Sequence, residues 1–447
     1  MKFRTIATAY ILFVFFIPNS IALINKPGIP LLSVSRIYVL FWVVVFLCLF
    51  YKRKRIRQVA RSYPFYKPMS VIFLSMLIVT VFALNTGASA NVMLAFLMES
   101  FLLSVMIWVS YRKPEYILDV MRRMVIIFVG LAIYGTASYF VGVNPVMEIV
   151  DTYFASESKK LVFSYADVER LGTLGRANSI FSHPMQYGAF LVMAICLSYY
   201  RYIIGFGMRK YLNFPYILIL LCGLASTFSR TPILFLLITS LVFWLFQSIN
   251  SKLKIAAVVL VFAVTALPFA PDAILQLTSS VVIEMLSGQS DSDVGGSSIV
   301  MRVEQLVATM ALYSEAPIVG HGLASTRIMI ESGTLPVDLR QAESELFSKL
   351  IDAGIVGLLA TIYFYSYLAR YFLQQKRASV ARHLTQFALL VFALVLGYVS
   401  FILATGVLGT FQLFIIIITL AARYLYLSCQ ENSDSHQNSK HNQVSRY

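Results

Sequence analysis

Apolar blocks follow one another along almost the whole chain, many of about 17–22 residues and long enough to cross a bilayer as a helix, others short of a full crossing alone. A backbone surrounded by hydrocarbon must satisfy its own hydrogen bonds, so such blocks are expected to fold as helices. With 59% hydrophobic residues, 13% charged residues and a mean hydropathy of +0.76, the chain has too little polar surface to coat a soluble body of its size. Lipid is its solvent. The expected fold class is therefore an all-α polytopic membrane protein of about twelve spans. They are expected at 5–24, 38–50, 69–84, 92–110, 124–142, 185–202, 216–228, 232–248, 255–270, 346–367, 384–404 and 409–426. The first block reads as a retained span, because no small-residue cleavage site follows it and Pro18-Asn19 marks an interfacial break.

Lys and Arg are held in the cytoplasm during insertion, so their distribution sets the orientation. Lys52, Arg53, Lys54, Arg55, Arg57, Arg61 and Lys67 mark a cytoplasmic loop, and alternating sides from there puts Arg112, Lys113, Arg122, Arg123, Arg209, Lys210, Lys376, Arg377 and Arg382 inside as well. Both termini are then cytoplasmic. The formal net charge of +15 is a topology signal and an attraction to anionic lipid headgroups; nothing in it calls for nucleic acid. Four parts follow: 1–270 with the first nine spans, an extracytoplasmic loop over 271–345 with amphipathic helices, 346–428 with the last three spans, and a disordered cytoplasmic tail over 429–447. The four cysteines fall in or just inside the spans, and their spacing shows neither a disulfide framework nor a metal site.

The two long outer segments, 143–184 and 271–345, place the working surface on the outer side. Ser287 to Gly296 reads as a linker, and Ile299, Val303, Leu306 and Met310 recur at helical spacing, which predicts an amphipathic helix at the membrane surface. Four stretches carry readable chemistry. The first is Arg176-Ala-Asn-Ser-Ile-Phe-Ser-His183-Pro184-Met-Gln-Tyr187-Gly188. The second is Ser226-Thr-Phe-Ser-Arg230-Thr-Pro232, a tight connection in which Pro232 suits the first turn of the next helix. Ser297 to Arg302 forms the third. The fourth runs from Gly320-His321-Gly322 to Glu343-Ser-Glu345-Leu-Phe-Ser-Lys349-Leu-Ile-Asp-Ala-Gly354-Ile-Val-Gly357.

With these stretches in this order, and a large outer loop before the last spans, the chain resembles the O-antigen ligase and polymerase superfamily of bacterial surface-polysaccharide assembly. The resemblance implies a multi-span glycosyltransferase of GT-C-like architecture in the bacterial inner membrane, without metal, cofactor or nucleotide sugar. It further implies a glycan donor carried on undecaprenyl diphosphate, and a chain-length regulator as a possible partner. Such a reaction must hold a leaving diphosphate and take a proton from an acceptor hydroxyl. Arginine suits the first task, because its planar fork pairs bidentately with phosphate and stays charged. Arg176, Arg230 and Arg302 are the candidates, set against the plain reading of arginines that contact headgroups.

In the ligases a histidine stands eleven residues before the glycine that is Gly354 here; this chain has Glu343 in that place. Helical counting puts Glu343, Leu346, Phe347, Leu350, Gly354 and Gly357 on one face, so Glu343 is the candidate base. Glu345, four residues before Lys349, reads as half of a surface ion pair. His183 and His321 are further candidate bases, with backbone binding as the plain alternative. Glu99, the lone acidic residue in its span, is expected to face the bundle interior. The reading that results is a repeat-unit polymerase for O-antigen, capsule or exopolysaccharide. A ligase passing finished glycan to lipid A core or protein is the alternative, and a twelve-span transporter or flippase the rival of another class. The sequence shows neither the paired halves nor the midplane polar sites in broken helices that carriers display.

Overall fold

The computed structural model describes residues 3–14, 22–24, 32–52, 54–153, 176–204, 213–247, 299–335, 344–379, 381–406 and 409–444. The regular structure among these residues is helical except for one small hairpin. Helix α1 (Phe3–Phe13) is followed by strands β1 (Ala22–Ile24) and β2 (Leu32–Ser33), which pair antiparallel. The expected first span over 5–24 is thus cut short, as α1 ends at Phe13 and Ala22–Ile24 is extended. Next come α2 (Val34–Lys52), α3 (Lys54–Arg61) and α4 (Tyr66–Val81). One long rod follows, made of α5 (Thr86–Phe96), a π-helical turn (Leu97–Leu102) and α6 (Leu103–Ser110). Then come α7 (Pro114–Val141), α8 (Pro145–Tyr153), α9 (Pro184–Ile204), α10 (Asn213–Ser226) and α11 (Arg230–Leu245). The C-terminal third holds α12 (Ile299–Glu315), α13 (Ser325–Ser332), α14 (Glu345–Ala378), α15 (Arg382–Ala404) and α16 (Phe411–Val444).

Among the described residues five helices are long and apolar enough to cross a membrane: Thr86–Ser110, Pro114–Val141, Glu345–Ala378, Arg382–Ala404 and Phe411–Glu431. Phe3–Phe13, Arg36–Cys48, Tyr66–Val81, Asn213–Ser226 and Arg230–Leu245 are apolar but shorter. The span expected at 255–270 lies outside the described residues. Large apolar side chains face outward along several helices, including Phe41 and Val44 on α2, Ile133 and Phe140 on α7, and Leu237 and Leu241 on α11. Such faces are stable only in hydrocarbon. This is a membrane protein.

Burial identifies the centre of the bundle. In the membrane-crossing window of α16, 83% of residues are buried, and in that of α15 78%, against 39% for α7. Helix α9 joins them, with Tyr187 and Ala189 to Leu197 all buried. Helix α15 packs along α11 and α14, α9 against α10 and α7, and α14 against α4. Beyond Cys429, where composition predicts a disordered tail, the described backbone of α16 continues to Val444. No Gly or Pro interrupts the sequence from Phe411 to Val444, so nothing in it stops the helix.

Helix α14 contains a break that controls the local chain path. Gly354 adopts φ 57°, ψ −155°, a conformation essentially restricted to glycine. The loop before α13 satisfies the freed backbone: His321 N and Gly322 N donate to Ile351 O and Asp352 O, at 2.9 and 3.0 Å, while Ile355 N donates to Pro317 O at 2.9 Å. A Cβ on Gly354 would stand 2.6 Å from Ile318 O. The single helical face expected from Glu343 to Gly357 is therefore interrupted. Gly354→Ala should destabilise the fold on the order of 2–4 kcal/mol from backbone strain and overpacking together, read as a lowered unfolding midpoint in detergent. Gly130→Ala, whose Cβ would meet nothing within 4 Å, should leave that midpoint unchanged.

Candidate active site

The first two stretches singled out in the sequence meet. Arg176 is buried; its Nε donates to Thr227 O at 3.1 Å and its Nη2 to Ser229 Oγ. One residue on, Ala177 N donates to Ser226 O at 3.0 Å. Thr227 to Ser229 form the connection between α10 and α11, with Phe228 at φ 44°. Arg230 is the first residue of α11 and is half-buried, and Pro232 occupies the first turn as expected. Two of the three candidate arginines are thus fixed to one turn at one helix N-terminus.

That N-terminus has neighbours of the same kind. Gly188, in the first turn of α9, lies so close to Pro232 that a Cβ would stand 2.6 Å from Pro232 Cγ. Thr405, just past α15, donates from Oγ1 to Met185 Sδ at 3.9 Å, and its carbonyl accepts from Glu345 N at 2.9 Å. A Cβ on Gly409, before α16, would lie 3.5 Å from Gln186 Nε2. The N-termini of α9, α11, α14 and α16 are therefore linked at one end of the bundle. Each carries the equivalent of roughly half a positive charge; the C-termini of α10 and α15, at Ser226 and Thr405, lie at the same end with the opposite partial charge, and Met185 N, Glu345 N and Leu346 N are already bonded within the protein. Arg176 and Arg230 add two full positive charges to this end.

The other candidates fall differently. Arg302 lies on α12, where the expected helix forms, with Val303, Leu306 and Met310 exposed and Gln305 and Thr309 buried. Its position is in register with Gln305 and Thr309; its side chain lies outside the described residues. Glu343 also lies outside them, one residue before Ser344, whose Oγ caps α14 by accepting from Leu346 N at 3.2 Å. His183 caps α9, its Nδ1 accepting from Met185 N at 3.1 Å. Nε2 of His321 bonds Leu312 O at 3.1 Å, while its backbone N and O bond Ile351 and Leu84. Both histidines thus have the backbone-binding role weighed for them.

Two acidic residues were misjudged or passed over. Glu345 is not on an open surface: with Lys349 it lines a half-open pocket of the bundle, together with Arg36, Glu99 and Gln412. A Glu–Lys pair four residues apart reads the same whether the helix face meets water or a pocket, so spacing alone misled. Asp352, given no role from the sequence, accepts from Thr326 N and Oγ1, each at 2.7 Å, and from Ala324 N at 3.2 Å. It thereby holds the start of α13 against the break in α14. Glu99 faces inward as expected and has a partner, Arg36. Among the described residues no three His, Cys, Asp or Glu side chains gather as a metal site would require.

Among curated proteins none matches the chain. Residues 215–362 match the family model Wzy_C, described as O-Antigen ligase. This region includes Arg230 at the start of α11, Arg302 on α12, and α14 through its break at Gly354. Over residues 215–362, about a third of its length, the chain is thus similar to the O-antigen ligase family, which supports the resemblance to the O-antigen ligase and polymerase superfamily.

Proposed function

We propose that the chain is a repeat-unit polymerase acting on undecaprenyl-diphosphate-linked oligosaccharides at the outer face of the bacterial inner membrane, both termini being cytoplasmic. The observation that carries this reading is the attachment of Arg176 and Arg230 to the N-terminal turn of α11, beside three further helix N-termini. In the proposed reaction an acceptor sugar hydroxyl attacks the anomeric carbon of the donor glycan. The bond from that carbon to the diphosphate oxygen breaks, and its electron pair leaves with the lipid diphosphate. The hydroxyl proton passes to a base. The positive charge of the guanidinium groups at this end stabilises the charge that develops on the leaving diphosphate. Arg302 is proposed as a third contact, on the basis of the resemblance.

Glu343 is proposed as the base, from its register in the fourth stretch. A carboxylate where the ligases carry histidine favours the polymerase branch over the ligase. A carrier is disfavoured on separate grounds. The structure does contain a broken helix and a polar cavity within the bundle, two features of carriers that the sequence reading did not find. In a carrier the unwound backbone would coordinate cargo, whereas here Ile351 O and Asp352 O are occupied by the loop at 321–322. The matched family model also describes a ligase, not a transporter.

Extension of purified lipid-diphosphate repeat units, read as a ladder on a gel, tests the assignment. Arg230→Ala and Arg302→Ala should each cut extension by roughly 10²–10³ at near-normal abundance, and the lysine variants should recover only part of it, since a point charge does not reproduce a fork. Glu343→Gln should block extension in an intact fold. Full chain-length distributions from the lysine variants would refute the bidentate geometry. His183 provides an internal contrast. As a cap it should be replaceable by Asn or Ser with activity kept, while His183→Ala should cost about 1 kcal/mol of stability. Loss of extension in a stable His183→Asn protein would instead make it the base.

A further inference from the structure

A half-open pocket of about 390 Å³ lies between α2, α4, the α5 to α6 rod, α14 and α16. This is toward the small end of the range for small-molecule sites, roughly 300–1,000 Å³. Its charged lining is Arg36, Glu99, Glu345 and Lys349, with Gln412 and the hydroxyl-bearing Ser100, Thr361 and Tyr365 beside them, and its apolar walls include Ile72, Met76, Phe364 and Phe411. Arg36 Nε donates to Glu99 Oε1, and Gln412 Nε2 donates to Tyr10 OH at 2.8 Å. Glu99 stands in the π-helical turn, a distortion frequent at functional sites. The cavity adjoins the cluster of helix ends, because Glu345 and Gly409 line it while Glu345 N bonds Thr405 O and Gly409 lies against Gln186.

The lining determines what fits. Two cations and two carboxylates balance, so the cavity as a whole has no preference for a charged guest. A polyprenyl chain would press hydrocarbon against these polar side chains without offering them a hydrogen bond, which is costly. An uncharged polyhydroxylated ring suits the lining: its hydroxyls donate to Glu99 and Glu345, accept from Arg36 and Lys349, and leave a C–H face for Phe364 and Phe411.

We infer that this cavity seats the terminal sugar unit of the acceptor glycan, with Glu345 and Lys349 binding its hydroxyls. The inference rests on the transferase reading above and adds no chemical step to it. It gives that reaction its acceptor subsite, with the diphosphate held among the helix ends.

The test uses the purified full-length protein, a saturating lipid-diphosphate donor, and the repeat oligosaccharide supplied as a short-chain alkyl glycoside acceptor. Ala95→Phe, which pushes a ring into the cavity, and Glu345→Leu should each raise the acceptor KM at least tenfold. Retention of the lipid-diphosphate donor on the protein should be unchanged. Val92→Phe, from the same wall, replaces Ala95→Phe if that variant does not remain folded. An unchanged acceptor KM in folded variants of an active enzyme overturns the subsite and leaves the transferase reading standing. Weakened donor retention with unchanged acceptor KM overturns it too, and gives the cavity to the lipid. No glycosidic product from the wild-type protein overturns both readings together.

Discussion

Four helices begin at one end of this bundle, and the contacts that bring their N-termini together organise the rest of the structure. The closest of these is between Gly188 and Pro232, where the absence of a side chain lets α9 and α11 approach within reach of a proline ring. Proline at that place costs the helix little, because the amides of a first turn have no partner within the helix. Thr405 then ties α9 to α14 by accepting from Glu345 N and donating to Met185 Sδ. The C-termini of α10 and α15 lie at the same end, at Ser226 and Thr405, and offset part of the dipole charge of the four N-termini. The full positive charges of Arg176 and Arg230 are what make the end suited to the proposed diphosphate.

Arg176 and Arg230 have distinct parts in this arrangement. Arg176 is buried and bonds the connection it meets, through Thr227 O and Ser229 Oγ. It therefore sets the shape of the turn as well as adding charge. Arg230, half-buried at the first position of α11, follows directly from that shaped turn. On the other side, the loop at 317–322 and the Asp352 carboxylate hold α14 across its break, which fixes where Ser344 and Glu345 begin. The site is thus positioned by long-range clamps rather than by any single helix.

Much of this was legible in the chain. The apolar blocks announced a membrane bundle, and Pro232 marked the first turn of α11. The amphipathic helix carrying Arg302 was visible in its spacing. What escaped were relations between distant segments. Arg36 meets Glu99 across 63 residues, so Glu99 read as solitary. The Gly354 break depends on hydrogen bonds from a loop more than thirty residues earlier, so counting at 3.6 residues per turn carried one face through a point where the helix is interrupted. The short hairpin of Ala22–Ile24 with Leu32–Ser33 likewise ended an apolar block that composition alone would have carried across the bilayer.

The central claim is that the gathered helix ends, with Arg176 and Arg230, hold the diphosphate of the lipid carrier. An experimental structure of the protein with a polyprenyl diphosphate bound tests it most directly. The account predicts diphosphate density at the N-terminal turn of α11, with phosphate oxygens within hydrogen-bond reach of the Arg230 guanidinium. Density seated instead in the half-open pocket, against Arg36 and Lys349, would contradict it.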